Sequence, residues 1–305
     1  MVATADGARV DIIARDERAT PRDGADKTVR AIADSTRAAL DAAGLPLHEM
    51  LAVGLASPGP LDHRTGVVHF SPNIVGFDEV PLAAWLSDEL DGATVFLDRD
   101  TAVAAIAERI TGAARGVADF VYITVSTGLG GAIVSGGRML RGVTNTAGEL
   151  GHWPVALQMD VARKDSDELP RCGCGSYGCA ESFAAGRNLA QAFGVSDAAE
   201  VYAAATRGDA RAAALVERAE RAVAALAVGI TNALNPSLIV VGGSVAEKQR
   251  AHVIEPMRRA IRERACAAPA SAVQVVPAAL GADVGMVGAV LVARERAAGE
   301  GEWFL

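Results

Sequence analysis

Two runs decide how this sequence is read: Glu149-Leu150-Gly151-His152 and, after a polar loop, Cys172-Gly173-Cys174-Gly175-Ser176-Tyr177-Gly178-Cys179-Ala180-Glu181. Three of the four cysteines fall within eight residues, and His152 is the nearest histidine upstream. Three thiolates and one imidazole complete a closed tetrahedral shell around zinc, the structural kind with no open position. The intervening glycines let the backbone turn tightly enough for Cys172, Cys174 and Cys179 to reach one ion with His152. Two other readings of the thiols stand beside this one. A disulfide would leave one of the three over, and the opening residues do not read as a secretory leader. Plain buried thiols would need a core segment, which Gly-Cys-Gly-Cys-Gly makes poorly. Cys266, in an alanine-rich helical stretch, reads as a small buried residue. Glu149 and Glu181 flank the metal ligands, so an ion that gathers the ligands also draws two carboxylates together.

The composition bounds the rest. The chain has 305 residues, enough for two domains of ordinary size. Half of it is hydrophobic but only 4% aromatic, so the core is built mainly from Ala, Val and Leu. A net charge of -8 disfavours a nucleic-acid partner bound by phosphate neutralisation. No apolar run approaches the length of a membrane span. Free thiols with zinc fit a reducing, cytoplasmic setting better than disulfides do.

Along the chain, residues 1–4 and 9–14 read as two strands of a hairpin turning near Gly7. A helix over 26–44 places Val29, Ile32, Ala33, Leu40 and Ala43 near one face. Residues 51–55 form a buried strand that stops at Ser57-Pro58-Gly59-Pro60. A polar hairpin around 62–66, a helix over 81–90 and a strand over 94–97 follow. That strand ends at Asp98-Arg99-Asp100, where a helix over 101–110 begins. Alternating strands and helices indicate an α/β fold. An acid at a strand's carboxyl end is a common active-site placement in such folds, and equally a common helix cap. The strand over 120–125 runs into Ser126-Thr127-Gly128-Leu129-Gly130-Gly131 and straight back into a strand. Such a turn either bares backbone N–H groups to a phosphate chain or is simply a tight hairpin. Residues 156–171 read as a polar surface loop. Helices follow over 197–206, capped by the pair Asp197 and Glu200, and over 212–234. A buried strand over 238–241 leads to Gly242-Gly243, and the chain continues through a helix over 255–265, a strand over 273–276 and a helix over 283–294.

The ordered set Pro58-Gly59-Pro60, Pro72-Asn73, Asp100, the 126–131 turn, Glu149 to His152, the cysteine cluster and Gly242-Gly243 resembles the ROK family of sugar kinases and sugar-responsive repressors, its glucokinase-like members in particular. The resemblance covers nearly the whole chain. It implies two actin-like (ribonuclease H-like) ATPase domains around a central cleft, with a division at 1–98 and 99–288 and the helix at 289–305 completing the first. It also implies Asp100 as catalytic base, Asn73, Glu149, His152 and Glu181 on the sugar, and His152 on zinc as well. Thr127, Gly128, Gly130 and Gly131 match the phosphate loop, and Gly242 and Gly243 the adenosine loop. The reaction implied is ATP-dependent phosphorylation of a hexose, glucose foremost, with Mg²⁺ beside ATP and zinc in a structural role. The family's usual assembly is a homodimer or homotetramer.

Several positions depart from the family pattern. An early Asp-x-Gly-Gly-Thr phosphate loop is missing, so residues 1–4 match a second strand, and the expectation is a chain that extends further upstream. Arg99 and Ala102 stand where asparagines are common, and Arg99 can either pair with Asp98 or lower the pKa of Asp100. Two other classes remain: a non-catalytic sensor of the repressor branch, whose helix-turn-helix module has no counterpart in this sequence, and a sugar-binding pseudo-kinase.

Overall fold

The computed structural model describes residues 1–71, 74–155 and 169–299. Over these residues the chain divides into two compact units. One comprises Met1–Arg115, Arg141–Ala147 and the described part of Asp283–Leu305; the other comprises Gly116–Leu140 and Gly148–Ala282.

The first unit opens with β1 (Val2–Asp6) and β2 (Arg9–Ala14), an antiparallel hairpin turning through Gly7. Next comes α1 (Ala25–Ala43), which buries Val29, Ala33 and Leu40 on one face and stops where Gly44 adopts a left-handed conformation. Then follow β3 (Val53–Ser57), the small antiparallel strands β4 (Leu61–Asp62), β5 (Val67–Phe70) and β6 (Asp78–Val80), α2 (Leu82–Glu89), β7 (Val95–Arg99) and α3 (Asp100–Ile110). β3 and β7 pair in parallel. The expected strand at 51–55 sits two residues later because Leu51 is exposed while Ser57, at the strand's end, is buried.

The second unit begins with the meander β8 (Phe120–Val125), β9 (Leu129–Ser135) and β10 (Arg138–Met139). After a 3-10 turn at Leu150–His152 come the helices α4 (Ala180–Ala184), α5 (Gly186–Phe193), α6 (Ala198–Thr206) and α7 (Ala210–Leu234). The chain goes on to β11 (Leu238–Gly242), α8 (Ser244–Lys248), α9 (Arg250–Arg264), α10 (Ala267–Ala272) and β12 (Gln274–Pro277). The sheet runs β10-β9-β8-β11-β12, with β11 parallel to both β8 and β12. Its core includes Val121, Ile123, Ile239 and Val241 from the sheet against Val223, Leu226 and Ile230 of α7. The expected Asp197–Glu200 capping box is formed at α6. Helix α9 starts five residues before the expected 255, because Val253 and Ile254 are drawn into the core. Cys266, expected to be buried, is exposed: it precedes α10 as its N-cap, and its N–H donates to the Asn232 side chain at 2.8 Å.

Helix α11 (Val284–Ala297) returns to the first unit and packs on α3 and β3. A Cβ at Gly288 would meet the Val103 carbonyl oxygen at 2.1 Å, so only glycine permits this approach. The pairs β1–β2 and β3–β7 reproduce the two flanks of the second unit's sheet, β9–β10 and β11–β12. Among the described residues they share no ladder with each other, although α11 touches both.

A buried ion cluster fixes the end of β7. Asp98 is fully buried and accepts two hydrogen bonds from Arg141, both 2.7 Å, one from Arg296 at 2.9 Å, and the Arg99 backbone N–H at 2.8 Å. This corrects the expected Arg99–Asp98 ion pair: the Arg99 guanidinium donates instead to the Ala147 carbonyl. His63, 6% exposed, lies beside the cluster, and among the described residues neither ring nitrogen has a hydrogen-bond partner. Burial alone would raise the Asp98 carboxyl, but the charges of Arg141 and Arg296 outweigh it and hold it below the usual range. Burial, then the nearby Arg141 charge, pulls the His63 imidazole down to about 4.

Both shifts weaken the fold in acid, in sequence. Between the ordinary histidine value and pH 4 the unfolded chain binds a proton that the folded one refuses at His63. Stability should therefore fall by about 3 kcal/mol from pH 7 to pH 4 through this group. Asp98 adds its own loss only below the ordinary carboxylate range. Urea unfolding across that window, on wild type and His63→Leu, should show the slope between pH 6.5 and 4 flattened in the variant; identical slopes would remove His63 from the account.

Candidate active site

The cysteine run folds as a knuckle because its backbone closes on itself. The Cys172 N–H donates to the Ser176 carbonyl at 2.8 Å and the Gly175 N–H to the Cys172 carbonyl at 3.0 Å. Isolated bridges join Arg171 to Tyr177 and Pro154 to Cys179, which lays the knuckle beside the Leu150–His152 turn. The donor atoms of His152, Cys172, Cys174 and Cys179 all lie within 4.8 Å of one another. The Cys174 and Cys179 sulfurs are 3.8 Å apart, and His152 Nδ1 is 3.3 Å from the Cys172 sulfur. A tetrahedron with zinc–sulfur bonds of about 2.3 Å has edges of about 3.8 Å, so the donor set fits a soft tetrahedral cation. Burial pushes the Cys172 thiol up to about 12, a cost that a bound cation would offset by favouring the thiolate. All four cysteines are free of disulfides.

Both carboxylates of the motif stand next to this cluster. Glu149 Oε2 lies 4.0 Å from His152 Nε2, while Nδ1 is the ring nitrogen next to the Cys172 sulfur. Glu181, in the first turn of α4, has Oε1 3.7 Å from the Cys172 sulfur, while Oε2 accepts the Leu129 N–H at 3.1 Å.

The glycine-rich segment divides into a turn and a strand. Gly130 and Gly131 lie in β9, paired with Thr124 and Ile123, and Gly131 leaves room for the Leu150 side chain. The turn itself is 126–128, closed by Ser126 N–H donating to the Gly128 carbonyl at 2.8 Å. Gly242 ends β11, and Gly243, at φ 93°, turns the chain into α8. Ser126 and Thr127 from the turn and Ser244 and Val245 after Gly243 border one cavity of about 620 Å³, within the range that holds small-molecule ligands. The turn and the late glycine pair, far apart in sequence, thus converge. Sequence reading missed Arg187, Gln191, Tyr202 and Lys248 on the same cavity. The available signal was position: Arg187 lies in the first turn of α5, the second helix after the knuckle, and Lys248 lies just past Gly242-Gly243-Ser244.

Asp100 begins α3 in the first unit. It is exposed, and its Oδ1 accepts the Thr101 N–H at 2.7 Å. It is not the N-cap, a position taken by Arg99. Ala102 is fully buried, so an apolar residue suits that site. Asn73 and residues 156–168 of the expected loop fall outside the described residues. No helix among the described residues is long and apolar enough to cross a membrane.

A two-unit α/β architecture with a cysteine–histidine knuckle and a cavity between a glycine-rich hairpin and a Gly-Gly turn defines a recognisable class. The model of the ROK family matches residues 2–296, and the chain belongs to that family. The crystal structure of a ROK hexokinase from Thermus thermophilus is 36% identical, superposes with a TM-score of 0.75, and covers 96% of this chain and 94% of its own. A ROK glucokinase from Streptomyces griseus in complex with glucose and AMPPNP is 28% identical with a TM-score of 0.76, over 95% of this chain and 94% of that one. An N-acetylmannosamine kinase from Citrobacter koseri is 36% identical over 70% of this chain and 71% of its own.

The turn before the knuckle tolerates no side chain at Gly151, where a Cβ would meet the Leu129 carbonyl oxygen at 1.9 Å. Gly151→Ala should cost roughly 1–3 kcal/mol of stability through overpacking, read from guanidinium unfolding midpoints. A midpoint equal to wild type would mean the turn can move away from β9.

Proposed function

We propose that the protein transfers the terminal phosphoryl group of ATP to a hydroxyl of a hexose, with glucose the leading substrate. One observation carries the nucleotide half of this reading: the cavity bordered by Ser126, Thr127, Ser244 and Val245, which unites the glycine-rich turn with the Gly242-Gly243 turn. Thr127, Gly128, Gly130 and Gly131 are assigned to the phosphate side of the nucleotide, and Gly242 and Gly243 to its adenosine side. Mg²⁺ bound with ATP supplies charge neutralisation at the transferring phosphate. Zinc at His152, Cys172, Cys174 and Cys179 has a structural role.

The sugar is assigned to Asn73, Glu149, His152 and Glu181. Carboxylates and an imidazole nitrogen can pair with several hydroxyls at once. Such a site disfavours a sugar that lacks one hydroxyl, because a polar group is then left without its partner. Asp100 is the general base. As the oxygen–phosphorus bond forms, the hydroxyl proton passes to its carboxylate and the bond to the departing ADP oxygen breaks. Its place at the start of α3, one residue after a strand end locked by the Asp98 cluster, supports that role by limiting how far its backbone moves.

Asp100→Asn should lower turnover by roughly 10²–10⁴-fold while glucose binding persists, measured by coupled ADP release and by calorimetry. Unchanged turnover would free Asp100 of the role, and a wild type without turnover on any hexose would favour a sugar-binding pseudo-kinase. Elemental analysis of freshly purified protein should find about one zinc per chain, and Cys179→Ala should lose it. Folded wild type without metal would end the zinc assignment.

A further inference from the structure

Outside its own hairpin, the 126–129 segment that borders the cavity is held, among the described residues, by groups from one stretch of chain. The Gly186 N–H donates to the Ser126 carbonyl at 2.8 Å, and the Arg187 N–H to the Thr127 carbonyl at 3.2 Å. Glu181 accepts the Leu129 N–H at 3.1 Å, and Gly151 backs directly on the Leu129 carbonyl. These partners run from 151 to 187, and the knuckle lies inside that stretch. Among the described residues, none of His152, Cys172, Cys174, Cys179 or Glu181 lines the cavity. The knuckle therefore has two routes to the cavity: along the chain through α5, which carries Arg187 onto it, and across to the turn.

Among the described residues, the Glu181 side chain touches both knuckle and turn. It follows Cys179 by two residues, its Oε1 lies 3.7 Å from the Cys172 sulfur, and its Oε2 holds the turn. We infer that Glu181 is a positioning residue, a strut by which the metal-holding knuckle sets the shape of the 126–129 turn and so the affinity of the cavity for a nucleotide. This rests on the nucleotide reading of the cavity given above. With the knuckle ordered, the carboxylate is fixed and the Leu129 N–H has its acceptor. With the knuckle loosened, that N–H loses a charge-assisted bond and the turn gains freedom on the side facing the cavity. Metal binding and nucleotide binding are then coupled, and by linkage each strengthens the other.

The test uses the full chain, AMPPNP as probe and no sugar. In zinc-loaded protein, Glu181→Ala should weaken AMPPNP binding by about tenfold, the scale of one charge-assisted hydrogen bond. Glu181→Gln, whose amide oxygen can accept the same N–H, should stay within about threefold of wild type. Chelating zinc from wild type should weaken binding by a similar factor, yet add little to the Ala variant, because both remove one link. Hydrogen exchange at 126–131 should rise in the Ala variant and on chelation, and not in the Gln variant. Equal AMPPNP affinity in wild type and Ala, additive effects of chelation and Ala, or Gln as impaired as Ala would each overturn the strut. If the Ala variant does not fold, the chelated wild type and the Gln variant carry the same comparison. If wild type binds no AMPPNP, the nucleotide reading fails by itself, and the exchange pattern still decides whether Glu181 ties the turn to the knuckle.

Discussion

Four donor atoms within 4.8 Å of one another constrain everything around them in the second unit. Three thiols and an imidazole gain little from such proximity unless a cation pulls them together, and burial of Cys172 makes the uncompensated arrangement costlier. The surrounding backbone is built to keep it. The Trp153 carbonyl accepts the Ala180 N–H at 3.0 Å, and the Trp153 ring packs where Gly229 of α7 leaves space. The knuckle is thus fastened to the longest helix of the unit on one side and to the β8–β9 hairpin on the other. A short, glycine-rich loop acquires the rigidity of a sheet and a helix that it does not itself contain.

The first unit solves a similar problem with charge instead of sulfur. Asp98 is buried, and Arg141 and Arg296 arrive from distant parts of the chain to satisfy it. Removing one partner of such a group is far costlier than the group's net contribution, typically about 3–5 kcal/mol. Asp100 follows two residues later at the mouth of α3, exposed and unconstrained by burial. A fixed strand end thus carries an exposed carboxylate just beyond it.

Much of this was legible in the sequence, for physical reasons that differ from place to place. The knuckle could be read because Cys172, Cys174 and Cys179, closely spaced among glycines, mark a chain that turns back on itself beside His152. Helices α1 and α7 could be read from the period of their apolar residues, and α6 from its Asp197–Glu200 capping pair. The Asp98 cluster could not be read: Arg141 lies 43 residues away and Arg296 198 residues away, and nothing local marks a guanidinium for burial. The nearer Arg99 looked the natural partner and proved to point elsewhere. Leu129 was equally silent, because its role lies in a backbone N–H that no residue name discloses.

The route of the chain adds a further consequence. Polypeptide passes from one unit to the other at 115–116, 140–141, 147–148 and 282–283, so neither unit is a continuous piece of sequence. A fragment cut as 116–282 would carry Arg141 away from Asp98, stranding a guanidinium in one piece and an uncompensated buried acid in the other. Division of this protein by proteolysis or recombination is therefore disfavoured at the obvious boundaries.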